Sequence, residues 1–184
     1  GNTGLSRKAT CGVQGTVKDF SVGKTEESSG KAGLRIALIV SAYHDVVTSA
    51  LRDGAVAALE QAGVGKDKGV VIPVPGAFEI PFAARCVAQS GGFDAIVCLG
   101  CVIRGETPHF DYIASAVAHG ITSASQATGV PMTFGVLTTN SREEALERVQ
   151  PDETNKGWEA AMAAVQLANV IERFVRPSSS GSDE

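Results

Sequence analysis

Continuous apolar runs alternate with amphipathic stretches along the chain, and this alternation limits the fold more than any other feature. Four runs rich in branched aliphatic residues are typical of strands buried on both faces of a sheet: 34–40, 70–74, 94–103 and 131–139. Apolar residues at helical spacing predict four helices: about 45–62, 79–90, 108–127 and 156–174. A capping box of Ser141 and Glu144 predicts a further short helix. The sequence therefore predicts a three-layer α/β/α sandwich around a four-stranded parallel sheet.

The folded domain is expected to span residues 33–176. Residues 1–32 are polar and read as a flexible N-terminal arm, in which 11–17 is at most an edge strand, and 177–184 reads as a disordered tail. A formal net charge of −4 without a long basic cluster argues against nucleic acid or a membrane surface as a partner. Because four strands are few for a self-sufficient sheet, we expect an oligomer.

The location is expected to be cytoplasmic. No apolar run is long enough to span a bilayer and no secretory signal is visible. A plastid form that has lost its transit peptide is the alternative.

Two of the four cysteines, Cys98 and Cys101, match the C-x-x-C spelling of redox and zinc sites. A redox pair belongs at a helix start, whereas this pair lies inside an apolar strand. Neither a second C-x-x-C nor a nearby histidine pair completes a metal site. We interpret both as small buried thiols that pack a strand in a reducing compartment, with no metal bound.

The segment 100–112 brings several chemically useful features to the end of the third strand. Gly105 is expected to allow an unusual backbone turn, and Thr107 and Pro108 are predicted to be the N-cap and first residue of the next helix. Free N–H groups and the helix dipole favour an anion at such a junction. His109 follows on the first helical turn, although a lone histidine there is more often a cap or a surface residue.

Other polar or aromatic segments follow the remaining strands: SAYH at 41–44, PGAFE at 75–79 and TTN at 138–140. The carboxyl ends of parallel strands share one edge of a sheet, where ligands of open α/β sheets bind. We therefore expect these segments to act together with His109.

Four segments are similar to those of lumazine synthases: VPGAFEIP at 74–81, GCVIRGETPHFDYI at 100–113, FGVLTTN at 134–140 and NKGWEAA at 155–161. The resemblance covers about residues 34–175. It implies a flavodoxin-like sheet and a transferase of riboflavin biosynthesis. Such enzymes join 5-amino-6-(ribitylamino)uracil to 3,4-dihydroxy-2-butanone 4-phosphate, giving 6,7-dimethyl-8-ribityllumazine, phosphate and water, without a cofactor.

The resemblance also implies roles at the reacting end of the site. His109 corresponds to the proton-transfer residue, and Glu106 and Thr107 correspond to the site for the butanone phosphate. Arg148 corresponds to the charged partner of that phosphate, for which a planar guanidinium is suited. Lys156 lies near the phosphate end in the family.

The uracil end is implied in the same way. Tyr43 corresponds to the aromatic that stacks on the ring. Two groups of residues hold the rest of this substrate: backbone groups of Cys101, Val102 and Ile103 for the pyrimidine edge, and Ala77, Phe78 and Glu79 for the ribityl chain. Phe134 and Arg148 are implied to come from the neighbouring subunit.

Two stretches depart from the family pattern. Many members read S-R-F-N where this chain has SAYH at 41–44, so Tyr43 adds a hydroxyl and His44 becomes a second candidate proton carrier. Residues 149–154 also differ from the Gly- and Lys-rich link common in the family.

Assembly into a homopentamer is implied, and the short link before Lys156 permits a sixty-subunit icosahedral shell. Riboflavin synthase is a further candidate partner. Two alternatives remain open: a flavin- or lumazine-binding or shell protein without turnover, and a nucleotide-binding domain. The latter lacks a G-x-G-x-x-G motif after the first strand.

Overall fold

A parallel sheet of four strands in the order β2-β1-β3-β4 forms the centre of the molecule. The structure is a computed structural model that describes the backbone of residues 33–175 and the side chains of residues 33–172. The strands are β1 (Ile36–Ser41), β2 (Gly69–Val74), β3 (Ala95–Ile103) and β4 (Met132–Thr139). The predictions for the arm at 1–32, including a strand at 11–17, and for the tail at 177–184 fall outside the described residues.

Helices cover both faces of the sheet, so the predicted three-layer α/β architecture is confirmed. They are α1 (Asp45–Gln61), α2 (Ile80–Ser90), α3 (His109–Thr128), α4 (Arg142–Glu147) and α5 (Lys156–Val175), with a 3₁₀ turn at Ala77–Glu79. None of the helices in the described range is both long and apolar enough to cross a membrane.

Two apolar cores lie on opposite faces of the sheet because successive strand side chains alternate in direction. Leu38, Val97 and Leu99 point towards α1 and α5, while Ile39 and Ile96 point towards α2 and α3. Strands β1 and β3 are almost wholly buried, which explains their continuous apolar sequences, whereas β2 and β4 are partly exposed.

The central strand β3 is longer than its neighbour β1, and this difference creates space at the carboxyl edge. The last β1–β3 pair is Val40 with Leu99, whereas β3 continues beside β4 as far as Ile103 and Thr139. Side chains that follow β1, β2 and β3 can therefore converge on the space beyond Ser41.

The predicted capping box is present at α4, with one difference. The Ser141 hydroxyl accepts a hydrogen bond from the Glu144 N–H at 3.2 Å. The Glu144 carboxylate accepts from the N–H of Asn140 at 2.9 Å, one residue before the N-cap. The side chains of Asn140 and Glu144 thus tie the end of β4 to the start of α4.

Candidate active site

A cavity of about 500 Å³ opens at the carboxyl edge of the sheet between β1 and β3. The strand order reverses direction there, which is where open α/β sheets bind ligands. We call this cavity the crevice. Its lining residues come from the segments after β1, β2 and β3: Tyr43, His44, Gly76, Ala77, Phe78, Glu79, Cys101, Val102, Ile103, Gly105, Thr107, His109, Phe110 and Ile113.

Tyr43 and His44 form the wall that follows β1. The N–H of Tyr43 donates to the Ser41 hydroxyl at 3.2 Å, and its side chain is 65% exposed. His44 has a left-handed backbone (φ 58°, ψ 50°) and is the N-cap of α1. Its ring lies 4.4 Å from that of Tyr43, centroid to centroid. The chain thus presents two rings side by side, ahead of the helix.

The environment of His44 favours its neutral form. Partial burial lowers the pKa of this imidazole below its ordinary value of 6.5, and the positive charge of Arg142 lowers it further. A left-handed residue other than glycine is uncommon, although histidine is among the residues enriched there. His44 therefore enters the crevice as a neutral ring on an unusual backbone.

The 3₁₀ turn after β2 brings Phe78 and Glu79 to the opposite wall. Phe78 is 57% exposed, and the Glu79 carboxylate is exposed as well. A Cβ at Gly76 would lie 2.9 Å from Oε2 of Glu79, so glycine leaves room for this carboxylate beside the backbone. An apolar ring and a hydrogen-bond acceptor are consequently available from one short segment.

The end of β3 supplies backbone groups, in a different way from the prediction. Cys101, Val102 and Ile103 are not simply unpaired, because β4 continues beside them. The Arg104 N–H donates to the Thr139 carbonyl at the end of β4, and the Ile96 N–H donates to the Pro131 carbonyl just before β4. The backbone N–H and C=O groups of successive residues point to alternate sides of a strand. Those of Cys101 and Ile103 therefore point away from β4, to the side where β1 has ended.

The start of α3 places His109 in the crevice, but two predictions about this junction are wrong. Pro108, not Thr107, occupies the N-cap position, and no side chain caps the helix. Among residues 33–175, positive φ occurs at four glycines and at His44, but not at Gly105. The imidazole of His109 is exposed and forms no hydrogen bond with the described residues. Thr107 lines the crevice, whereas Glu106 is exposed outside its lining.

A second cavity, of about 490 Å³, lies along the outer edge of β4 against α5. We call it the edge cleft. It contains Phe134, which is 46% exposed, together with Arg148 and Lys156. The Arg148 guanidinium donates to the carbonyl of Glu144 at 2.6 Å and forms no ion pair within residues 33–172. Lys156 pairs with Glu159 at 2.6 Å, so Arg148 carries the less compensated charge.

Apart from Glu106, which lines neither cavity, the predicted site residues therefore fall into two groups with different chemistry. Of the described residues that line the crevice, none is lysine or arginine, and Glu79 is the one with a carboxylate. The residues described around the edge cleft include two cations but no histidine. Within the described residues, the crevice offers histidine but no cation for a phosphate, whereas the edge cleft offers two cations but no histidine.

The C-x-x-C cysteines are buried packing residues, as the sequence indicated. Cys98 points into the core beneath α2 and α3, and Cys101 points into the opposite core. Burial raises the pKa of Cys98 to about 12 and that of Cys101 to about 11, so neither is a ready thiolate. Within residues 33–172, no group of three or more His, Cys, Asp or Glu is placed to hold a metal ion.

Phe110 and Ile113 also line the crevice, and the sequence reasoning did not include them. Phe110 follows His109 on the first turn of α3 and Ile113 lies one turn further on, so the helical period could have indicated them. They give the crevice an apolar wall beside the imidazole.

One comparison with known proteins bears on this site. A family model described as 6,7-dimethyl-8-ribityllumazine synthase matches residues 33–172. The matched range includes every strand and every residue that lines the crevice and the edge cleft.

Proposed function

Since the chain belongs to the lumazine synthase family, we propose that it condenses 5-amino-6-(ribitylamino)uracil with 3,4-dihydroxy-2-butanone 4-phosphate. The products are 6,7-dimethyl-8-ribityllumazine, phosphate and water. Membership of the family assigns the chain to riboflavin biosynthesis and implies a transferase. The two substrates and the roles of the residues are what we propose beyond that assignment.

The observation that carries the proposal is the set of groups gathered in the crevice. Tyr43 presents an exposed ring on which a pyrimidine can stack. The free backbone groups of Cys101 and Ile103 can pair with the polar edge of that pyrimidine. The Glu79 carboxylate can accept hydrogen bonds from ribityl hydroxyls, while Ala77 and Phe78 border the chain.

His109 is suited to the proton transfers of this condensation. Imine formation releases one water, elimination releases phosphate, and ring closure onto the remaining carbonyl releases a second water. Protons move between nitrogen, carbon and oxygen at each step. An imidazole that faces the crevice and has no hydrogen bond to the described residues is available for these transfers. A positioned general acid or base contributes about 10²–10⁴-fold to a rate.

The phosphate end is proposed to lie between two subunits of a homopentamer. The lining of the crevice, as far as the chain is described, has no cation to meet a phosphate, whereas the edge cleft has Arg148 and Lys156. Docking the edge cleft of one subunit on the crevice of the next would bring Arg148 and Phe134 to His109. Glu106 and Thr107 then border the phosphate, and the guanidinium can hold it with two parallel hydrogen bonds.

Further assembly stays a prediction. A sixty-subunit shell and an association with riboflavin synthase follow from the family resemblance, and so does the cytoplasmic location. Sedimentation velocity separates a pentamer from a shell of sixty chains by a large difference in mass.

The test of the proposed reaction is a turnover assay with both substrates, following lumazine fluorescence and released phosphate. We expect product above the uncatalysed background. His109→Ala should lose about 10²–10⁴-fold in kcat. His119→Ala is the matched control, because His119 lies on the exposed face of the same helix, where its ring bonds to the Ser115 carbonyl at 2.8 Å.

Product at the background level from a correctly assembled protein would reject the proposed reaction. A yellow protein that retains flavin or lumazine without turnover would then support the non-catalytic alternative. Equal losses in the His109 and His119 variants would remove His109 from the mechanism.

A further inference from the structure

The first turn of α3 holds His109, yet it lacks the side-chain cap that usually fixes a helix start. Pro108 cannot donate from its nitrogen, and no side chain accepts a hydrogen bond from the first N–H groups. The Asp111 N–H donates to the Pro108 carbonyl at 3.0 Å. This hydrogen bond lies within the turn and does not connect the turn to the sheet. Some other contact must set the position of this turn relative to the crevice.

Arg104 provides such a contact from the residue immediately after β3. Its guanidinium lies over the ring of Phe110, 4.3 Å from the centroid. The same group donates to both carboxylate oxygens of Asp111, at 3.2 and 3.4 Å. Phe110 and Asp111 follow His109 directly, so Arg104 contacts α3 at the same turn that carries His109.

The same side chain also reaches β4. The Nε of Arg104 donates to the Asn140 side-chain oxygen at 3.3 Å, and its backbone N–H donates to the Thr139 carbonyl at 2.9 Å. Asn140 is in turn bonded to Glu144. One arginine therefore connects the ends of two strands to the start of α3.

We propose that Arg104 is a positioning residue for His109, an inference that rests on the proposed function. Arg104 does not line the crevice, so it acts through its neighbours and not by touching substrate. Its planar fork suits the task because it can stack on a ring and pair with a carboxylate at once, which a lysine cannot do equally well.

The role is separable from a contribution to stability. Both partners of the Arg104–Asp111 pair are about half exposed, at 46% and 61%. Exposed pairs contribute little to folding stability. By contrast, a displacement of about 1 Å at a catalytic group can cost about 10²-fold in rate. Losing Arg104 should therefore affect turnover much more than unfolding.

The main experiment compares Arg104→Gln with Arg104→Lys and with Arg52→Gln. Arg52 is the control because it forms an exposed pair with Asp53 on α1, outside the crevice lining. We expect Arg104→Gln to lower kcat about 10–100-fold with a smaller change in KM and little change in Tm. Arg104→Lys should recover part of the loss, and Arg52→Gln should resemble the unmodified chain.

A double variant tests whether Arg104 acts through His109. In a His109→Ala background, Arg104→Gln should cost little further activity, because residues that act as a unit are not additive. A full and independent loss in that background would overturn the proposal. So would an unchanged kcat in Arg104→Gln.

A measurement that does not need turnover separates this inference from the proposed reaction. Backbone hydrogen exchange of residues 107–112 should be faster in Arg104→Gln than in Arg52→Gln, because the first turn is released. Unchanged exchange would reject the positioning role of Arg104 even if the enzyme is active. Absence of turnover in the unmodified chain would reject the proposed reaction and leave the exchange result standing.

Discussion

The backbone N–H of Lys156 donates to the carbonyl of Arg148 at 3.0 Å, so the two cations of the edge cleft are joined by a closed loop. Asn155 fixes this loop to α1. Its buried amide donates to the carbonyls of Ala50 and Gln150, both at 3.1 Å, and its oxygen accepts from Gly157 at 2.8 Å. The position of the cations thus depends on one neutral side chain.

Asn155→Ala should both destabilise the fold and weaken binding of the phosphate substrate. Each buried polar group left unpaired costs about 1–3 kcal/mol. The free energy of unfolding, measured with urea at fixed protein concentration, should fall by at least that amount. Gln150→Ala is the control, because it removes an exposed side chain from the same loop and keeps the carbonyl that Asn155 uses. Equal stability of the two variants would contradict this account.

Arg148→Ala should raise the KM for the butanone phosphate about ten- to hundredfold, since hydrogen bonds to charged groups are worth about 1.5–3 kcal/mol. The KM for the ribityl substrate should change much less, because that substrate is assigned to the crevice. Arg85→Ala on the exposed side of α2 serves as the comparison in steady-state kinetics. A similar rise for both substrates would mean that the substitution disturbs the subunit interface.

Gly157→Ala should be strongly destabilising for a steric reason. A Cβ at this position would overlap the backbone carbonyl of Leu51, because α5 and α1 meet there without an intervening side chain. Overpacking typically costs about 1–3 kcal/mol, and backbone can yield less than a side chain. Gly69→Ala is the control because nothing lies within 4 Å of its Cβ. Chemical unfolding should show a large loss in the first variant and a small change in the second.

The thiols of Cys98 and Cys101 should resist modification in the folded protein. Burial raises their pKa values to about 12 and about 11, so the reactive thiolate is scarce near pH 8. Mass spectrometry after treatment with a thiol reagent should find both unmodified until a denaturant is added. Rapid labelling of either in the native state would contradict their role as packing residues.

Acid should reduce stability through His44. Its folded pKa lies below 6.5 because of burial and Arg142, so the unfolded chain binds the proton more readily. The contribution of His44 to the free energy of unfolding is therefore complete above about pH 6.5 and is lost as the pH falls below that value. Asparagine also tolerates a left-handed backbone, so His44→Asn should show a smaller fall in Tm between about pH 7.5 and about pH 5.5. Identical pH profiles would exclude His44 as the cause.

The order and extent of the elements could be predicted because the apolar runs are long and the two central ones, β1 and β3, are buried on both sides. The apolar pattern predicts the third strand at 94–103, and the strand is observed at Ala95–Ile103. The parallel arrangement also predicts that the segments after the strands converge on one edge of the sheet. The crevice contains most of the site residues that the sequence indicates, including Tyr43, Glu79 and His109. Their roles as site residues stay predictions.

What the sequence could not indicate depends on contacts between distant residues. Thr107 is of a residue type that favours N-caps, but α3 starts two residues later, at His109, and its first turn is contacted by Arg104. Nothing in the periodicity signals that the arginine reaches both Asp111 and Asn140. Asn155 likewise looks like an ordinary loop residue until the fold brings Ala50 and Gly157 to it.

The division between the crevice and the edge cleft has a genetic consequence. With the site shared as proposed, each subunit serves two reaction centres, one with each face. Chains inactivated at His109 and chains inactivated at Arg148 would then rescue one another when they are expressed together, because some junctions would join two intact faces. A single chain damaged on both faces would instead act as a dominant inhibitor of its neighbours.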